Sequence, residues 1–236
     1  MKILAIQNCR AEGFGRYEQY LLGRGTDFQV VHAYRDDPLP AVEGFDAILI
    51  GGTPISAYAA EQHPFLRREC EYLRLALSAG TACFGICCGG QLLAQLLGAS
   101  VEKCERMEIG GYEVCLTEAG QKDGLLKGFP ARFPVFHWHG DTFGIPEGGE
   151  LLVTGEGCRN QMFRRGHVVG VQFHLEVTSH EAGLWADEYP DELVTFGKKK
   201  EDLLRECQER EEQMGTLAGL LMENFLRLAR ESQPAA

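Results

Sequence analysis

The sequence predicts an α/β fold of three layers, in which a mainly parallel central sheet lies between helices and carries a smaller mixed or antiparallel extension. Three observations support this prediction. Short apolar runs alternate with helical patterns through the first half of the chain. The runs near residues 46–50 and 81–86 suit strands that are buried on both faces of a parallel sheet. Between about residues 99 and 173, shorter strand patterns are separated by Gly and Pro turns, which favours antiparallel pairing.

The first half of the chain contains clear helix signals. A helix predicted over residues 64–79 has apolar residues near helical spacing and stops before Gly80, a common C-terminal signal. A second helix, over residues 89–97, carries a stripe of leucines and ends before Gly98. A shorter helical segment is predicted at residues 17–22. Two more strands are predicted in this half, at residues 2–7 and 28–31.

The sequence pattern of the second half of the chain predicts an extension of the sheet followed by helices. Its short strands are expected at residues 112–116, 133–137, 150–154, 161–164 and 167–173. The last fifty or so residues are charge-rich and helical, with an amphipathic pattern over 217–228 and a low-complexity tail at 232–236. A length of 236 residues suits one domain with a small addition. We therefore expect a principal domain over 1–185 and a C-terminal helical extension over 186–236 that packs on it.

Charge and composition exclude several classes of partner. The formal net charge is −11, and such a surface repels nucleic-acid phosphates and anionic lipids. No apolar stretch approaches the length of a membrane span, and the N-terminal apolar run is too short for a signal peptide. The nine cysteines, an odd number without a CxxC pair, favour free thiols in a reducing compartment. We therefore expect a cytoplasmic protein that binds neither nucleic acid nor membranes.

The pattern Gly85-x-Cys87-x-Gly89 lies where the strand near 81–86 runs into the helix over 89–97. This is the spacing of a nucleophile elbow, with cysteine in place of serine. The start of the helix would stabilise a thiolate, and the backbone N–H of Cys88 would be placed to bind an oxyanion. A tight glycine turn with buried thiols is the alternative. Cys88 is the local rival as nucleophile, but the glycine spacing favours Cys87.

A cysteine nucleophile usually needs a histidine, and the histidine usually needs an orienting group. The apolar run over 168–173 is followed by His174, and Glu176 lies two residues further on. In a strand, alternation would put both side chains on one face, where the carboxylate can hold the imidazole in one tautomer. Three other histidines compete for the role of base: His137, His139 and His167.

Several segments resemble the class I glutamine amidotransferases. Residues 84–94 and 170–176 are similar to the two signatures of that family, and Gly51-Gly52-Thr53-Pro54 is similar to its oxyanion loop. The closest resemblance is to stand-alone proteins similar to the glutaminase domain of GMP synthetase, because residues 108–110, 137–143 and 160–163 also fit that group. The likeness covers about residues 1–180.

The resemblance implies a role for each matching residue. Cys87 would attack the side-chain amide carbon of glutamine, His174 would pass a proton to the leaving ammonia, and Glu176 would support His174. Water would then release glutamate from the thioester. The N–H groups of Gly52 and Cys88 would bind the oxyanion. The residues implied to line the substrate pocket are Gln91, His137, Trp138 and His139. No cofactor is expected, and no metal, although His137-x-His139-x-Asp141 has the form of a metal cluster.

Three functions remain open at this point. The first is a glutaminase or amidotransferase; because no Walker pattern occurs, its ammonia acceptor would lie on a synthetase partner chain. The second is a hydrolase of γ-glutamyl peptides or amides, which Gly90 favours by opening space where the family often has a larger residue. The third is a non-catalytic binding protein that retains the fold. Cys88 and Thr53 also depart from the family pattern.

Overall fold

The structure is a computed structural model that describes residues 1–231. The predicted tail at 232–236 lies outside the described residues. The strands are β1 (Lys2–Gln7), β2 (Asp27–His32), β3 (Ala47–Ile50), β4 (Ala82–Ile86), β5 (Val101–Leu116), β6 (Arg132–Phe143), β7 (Glu150–Thr154), β8 (Asn160–Arg165) and β9 (Val168–Val171). The helices are α1 (Gly15–Gly23), α2 (Pro64–Ser78), α3 (Cys88–Leu96), α4 (Glu118–Lys122), α5 (Ser179–Glu188), α6 (Pro190–Phe196) and α7 (Lys200–Glu231).

One sheet of nine strands connects the described residues, in the order β2-β1-β3-β4-β9-β8-β7-β5-β6. The first five strands in this order pair in parallel. From β9 onward, each neighbouring pair is antiparallel. The predicted α/β fold with a parallel centre and an antiparallel extension is confirmed.

Strand alternation divides the core into two layers. In β1, Ile3 and Ala5 enter a cluster with side chains of α1, α5 and α7, whereas Leu4 and Ile6 enter another with side chains of α2 and α3. Successive side chains of a strand point to opposite faces, so a strand covered on both sides must be apolar at every position. This explains the continuous apolar runs in the sequence.

The extension departs from the predicted strand lengths. β5 begins at Val101 and pairs with β6 over most of its length, with a register shift between Lys103 and Glu108. Its first half is mostly charged, and only Glu108 of it is buried, so it has no apolar signal. In contrast, β9 ends at Val171, earlier than predicted. The chain continues as an irregular segment in which His174 forms an isolated backbone bridge with Phe136 of β6.

The C-terminal helix α7 is part of the main core. Its Phe225 is fully buried and packs on Phe84 of β4, with ring centroids 5.2 Å apart. The amphipathic pattern predicted over 217–228 belongs to a single helix of 32 residues. The predicted domain boundary at 185/186 stays a prediction. Within residues 1–231, no helix combines the length and the apolar character needed to cross a membrane.

Candidate active site

The turn between β4 and α3 has the geometry of a nucleophile elbow. Cys87 has φ 50° and ψ −112°, a backbone conformation that costs a non-glycine residue about 1–3 kcal/mol. The turn is too tight for side chains on either side. A Cβ on Gly85 would lie 2.4 Å from the backbone of Gly89, and a Cβ on Gly89 would lie 2.3 Å from the carbonyl oxygen of Ile50. The small residues two before and two after Cys87 are therefore sterically required.

The substitution Gly89→Ala is expected to destabilise the protein by at least about 3 kcal/mol, because the added methyl group meets a backbone atom of a central strand that cannot rotate away. Denaturant unfolding measures the effect as a shift of the midpoint. Gly44→Ala is the matched control, since a Cβ at Gly44 has no heavy atom within 4 Å. Equal midpoints for the two variants would contradict the steric account.

His174 and Glu176 form a buried pair. The two side chains are 2% exposed and 3% exposed, and Nδ1 of His174 lies 2.5 Å from Oε1 of Glu176. Burial alone lowers the pKa of His174, but the charge of Glu176 and the neighbouring Cys87 sulfur outweigh it and raise the pKa to about 10. The ring of Trp185 covers the imidazole at 4.9 Å between centroids. The pair therefore favours a positively charged imidazole in one fixed orientation.

The structure brings Cys87 to this pair. Its side chain is buried at 8% exposure, and its sulfur accepts from Nε2 of Gln172 at 3.5 Å and lies 3.9 Å from the carbonyl oxygen of Trp138. Nε2 of His174 is buried without a hydrogen-bond partner among the described residues. This nitrogen is free to exchange a proton with the sulfur or with a bound substrate.

Cys88 differs from Cys87 in its surroundings. Its sulfur donates to the carbonyl oxygen of Ile55 at 3.2 Å. Burial, reinforced by the nearby Cys87, raises the pKa of the Cys88 thiol well above its usual value. The geometry therefore favours Cys87 over its neighbour as the reactive thiol.

The two predicted oxyanion donors flank Cys87. Cys88 is the first residue of α3, so its backbone N–H has no acceptor inside the helix. Gly52 follows β3 on the other side, and a Cβ placed on it would lie 3.6 Å from Cβ of Cys87. Below this loop, Nδ2 of Asn8 donates to the carbonyl oxygen of Gly51 at 3.2 Å and to Oε1 of Glu69 at 3.0 Å. Asn8 and Glu69 thus position the Gly51–Gly52 loop.

Glu69 makes stability depend on pH. Its side chain is fully buried, and burial raises its pKa from 4.5 to about 8. Between these two values the folded state holds a proton that the unfolded state releases, so the free energy of unfolding falls as pH rises, by up to about 1.4 kcal/mol per pH unit.

The neutral variant Glu69→Gln is therefore expected to gain stability relative to the wild type as pH rises from 4.5 to 8. Thermal unfolding at pH steps across this interval measures the difference. Glu71→Gln, an exposed position of the same helix, serves as the matched control. A constant difference across the interval would show that Glu69 is ionised in the folded protein at all of these pH values.

A cavity of about 360 Å³ opens above Cys87, within the usual range for small-molecule sites. Gln91, Trp138 and His139 line it. Nε2 of Gln91 donates to the carbonyl oxygen of Asp141 at 3.1 Å and to Oε1 of Gln172 at 3.2 Å. The side chain of Gln91 therefore links the backbone of Asp141 to the side-chain amide of Gln172, which contacts the Cys87 sulfur.

Two expectations need correction. His137 does not line this cavity: it lies behind His139, with its ring 5.0 Å from that of Tyr112 and its Nε2 3.7 Å from Glu108. It faces a separate cavity of about 1030 Å³. Burial holds the pKa of His137 well below its usual value, so it stays neutral. Gly90 does not open space near the nucleophile either, because a Cβ there would meet backbone atoms of Val171 at 2.9 Å.

Several side chains that line the cavity have no signal in the sequence. They are Glu12, Trp185, Tyr189 and Glu192. Glu12 comes from the loop after β1, and Trp185, Tyr189 and Glu192 come from the helices α5 and α6 and the turn between them. These segments lie beyond the motifs that predicted the site, and no residue spacing relates them to Cys87.

His139 belongs to two clusters of potential metal ligands. Its ring nitrogens lie within 4.8 Å of Cys104 and Cys158, and also within 4.8 Å of Glu108 and His137. Both nitrogens already have neighbours: Nδ1 lies 3.0 Å from the carbonyl oxygen of Asp141, and Nε2 lies 3.0 Å from Oε2 of Glu108. The expected absence of a metal stays a prediction.

Comparison with known proteins identifies the family. The model of the family described as glutamine amidotransferase class-I matches residues 14–185. The chain belongs to the class I glutamine amidotransferase family, so the predicted resemblance is confirmed.

Individual relatives agree with this assignment. The glutamine amidotransferase-like protein YfeJ of Salmonella typhimurium is 34% identical over 183 residues, which cover 75% of this chain and 77% of the relative. A glutamine-hydrolysing GMP synthase subunit of Methanospirillum hungatei is 32% identical over 139 residues, which cover 58% of this chain and 66% of the relative. The crystal structure of a glutamine amidotransferase from Thermotoga maritima has a TM-score of 0.88 and 31% identity, and the match covers 95% of this chain and 98% of that chain.

Proposed function

We propose that this protein hydrolyses the side-chain amide of glutamine through a thioester on Cys87. The observation that carries the proposal is the buried cluster of Cys87, His174 and Glu176 at the floor of a cavity of ligand size. The family supports glutamine as the substrate class. The roles of the three residues follow from their contacts.

The first half-reaction forms the thioester. The Cys87 sulfur attacks the amide carbon, and the N–H groups of Gly52 and Cys88 stabilise the negative charge on the oxygen; one such donor is typically worth about 3–4 kcal/mol. Nε2 of His174 then gives its proton to the departing nitrogen. The carbon–nitrogen bond breaks, and ammonia leaves.

The second half-reaction restores the enzyme. Water attacks the thioester, His174 accepts the proton from that water, and glutamate leaves as the thiolate reforms. Glu176 holds Nδ1 of His174 throughout, so that Nε2 always faces the reaction.

The cavity also suits the α-amino acid end of the substrate. Asp141 and Lys103 line the part of the cavity near Gln91, and Ser56 donates to the Asp141 carboxylate at 2.5 Å. An ammonium and a carboxylate on one carbon need one charge of each sign, and these two side chains supply them.

We further propose that ammonia is passed to an acceptor on a partner chain in the cytoplasm. The relative named as a GMP synthase subunit supports a synthetase partner, and the nine free cysteines suit a reducing compartment. A hydrolase of other γ-glutamyl amides is the second candidate, because the cavity extends beyond the nucleophile towards α5 and α6. The non-catalytic alternative has no specific observation in its favour.

Release of ammonia from glutamine by the purified protein tests the proposed function, with Cys87→Ala as the control. The wild-type protein and the Cys87→Ala variant are each assayed alone and together with the proteins that co-purify with them in a pull-down. We expect turnover that requires Cys87. Absence of Cys87-dependent glutamate formation in both samples would contradict the proposal.

A further inference from the structure

The part of the cavity next to His174 differs from the part next to Gln91. Two carboxylates, Glu12 and Glu192, and three aromatic side chains line it; the aromatic side chains are Trp138, Trp185 and Tyr189. We call these five residues the acidic chamber. In the proposed reaction, His174 protonates the departing nitrogen, so the group attached to that nitrogen would occupy the acidic chamber.

Glu12 is a largely buried carboxylate on the wall of the cavity. It is 9% exposed, and its Oε1 accepts from the hydroxyl of Tyr189 at 3.1 Å. Its Oε2 lies against Gly52, 2.5 Å from where a Cβ on that glycine would be, on the wall of the cavity. A largely buried carboxylate oxygen on a cavity wall is stabilised when a donor or a cation in the cavity reaches it. Glu12 therefore indicates a positively charged or N–H-bearing ligand.

Glu192 and the aromatic rings complete the chamber. Oε2 of Glu192 accepts from Nε1 of Trp138 at 2.7 Å, which fixes the carboxylate at the cavity wall. The rings of Trp185 and Tyr189 pack on Trp138 with centroids 6.1 Å and 5.9 Å away. Aromatic faces and carboxylates together are the surroundings that bind alkylammonium groups.

The cavity wall carries more acidic side chains than the zwitterionic end of glutamine can pair with. Glu12, Asp141 and Glu192 are carboxyl groups on the cavity wall, and Lys103 is the lysine there. The α-amino acid end of a γ-glutamyl compound is a zwitterion, which pairs with one acid and one base. After Asp141 and Lys103 are paired, two carboxylates remain in the acidic chamber.

We propose that the same site also accepts γ-glutamyl amides whose amine part carries a second positive charge, such as the γ-glutamyl derivative of a diamine, and that Glu12 and Glu192 bind this charge. The inference rests on the proposed function, because it uses the same thioester chemistry on Cys87 and adds a substrate class to glutamine. The chemistry stays balanced: the Cys87 thioester forms, His174 protonates the nitrogen, the diamine leaves in place of ammonia, and water hydrolyses the thioester. No further reactant is required.

The ionisation of Glu12 gives the selectivity a pH dependence. Burial raises its pKa to about 7, against the lowering effects of His174 and of the Tyr189 hydrogen bond, while Glu176 and Glu192 raise it further. Cys9 and Cys88, whose pKa values are also raised, are further titratable neighbours of Glu12. Glu12 therefore gains negative charge as pH rises from 6 to 8, so the preference for a cationic substrate should grow over this interval.

Three substrates of similar length test the inference: γ-glutamyl-putrescine, which is cationic, γ-glutamyl-pentylamide, which is neutral, and γ-glutamyl-γ-aminobutyrate, which is anionic. At pH 8 we expect kcat/KM to decrease in that order, with about a tenfold preference for the cation over the neutral amide, the size of one desolvated cation–π or charge-assisted contact. The ratio should be smaller at pH 6.

Variants assign the preference to the acidic chamber. Glu12→Gln and Glu192→Gln should each lower the ratio of cationic to neutral kcat/KM at least about threefold, because each removes one charge and keeps the side-chain shape. Asp191→Asn is the matched control: Asp191 is the exposed neighbour of Glu192 on α6 and does not line the cavity. Because the measured quantity is the ratio of the two kcat/KM values, a loss of activity that is equal for both substrates leaves it unchanged.

Three outcomes would overturn the inference. Equal kcat/KM for the cationic and neutral amides would show that the chamber does not bind a cation. Loss of all three activities by the same factor in Glu12→Gln would show that Glu12 serves the reaction itself. The third outcome is that neither glutamine nor any of the three amides shows turnover that depends on Cys87. This result would contradict the proposed function and the inference together. It differs from the first two outcomes, in which Cys87-dependent turnover is present.

Discussion

Cys87→Ala is expected to lower kcat for glutamine hydrolysis by at least about 10³-fold, the range typical for removal of a covalent nucleophile. The sulfur is the atom that would form the thioester, and Cys88 does not share the strained backbone conformation of Cys87. Because the residue is small and buried beside polar groups, alanine should fold normally. Steady-state ammonia release and circular dichroism measure activity and folding on the same sample.

The matched variant is Cys83→Ala, which removes a buried thiol four residues earlier on β4. Cys83 is fully buried, and burial raises its pKa to about 12, so it has no reactive form near neutral pH. Its replacement should leave kcat within about threefold, since no part of the proposed reaction uses it. If both variants retained activity, the thioester mechanism would be wrong.

Glu176→Gln is expected to lower kcat by about 10²–10⁴-fold, because the neutral amide no longer fixes the tautomer of His174 or stabilises its positive charge. The variant should also change the pH profile. The Glu176 charge raises the pKa of His174, so its removal lowers that pKa. The protonated ring that the departing nitrogen needs is then lost at a lower pH, and the alkaline limb of the kcat profile moves to lower pH.

Glu188→Gln is the control for this second prediction, because Glu188 is an exposed carboxylate at the end of α5. It removes the same formal charge without touching His174. Its pH profile should match that of the wild type. An alkaline limb that stays in place in Glu176→Gln would show that another group provides the proton.

The nucleophile elbow could be predicted because its requirements are local. The glycines at 85 and 89 are needed by a turn of five residues, and the apolar residues on both sides show which elements the turn connects. The register of His174 and Glu176 could also be predicted, although β9 ends at Val171 and the two residues belong to an irregular segment. Their spacing still places both side chains together.

The rest of the cavity could not be predicted because tertiary packing creates it. Glu12 and Glu192 are separated by 180 positions in the sequence, and their neighbourhood depends on α5 and α6 folding back over the sheet. The error at His137 has a related cause. Its motif contains three adjacent candidates, and only the packing of β6 against β5 decides which of them faces the nucleophile.

The most direct measurement is acid quenching of the protein during turnover of glutamine, followed by peptide mass spectrometry. The account predicts a γ-glutamyl thioester on the peptide that contains residues 87 and 88, located on Cys87 by fragmentation and absent from Cys87→Ala. A γ-glutamyl group on the adjacent sulfur, or continued glutamate formation by Cys87→Ala, would contradict it.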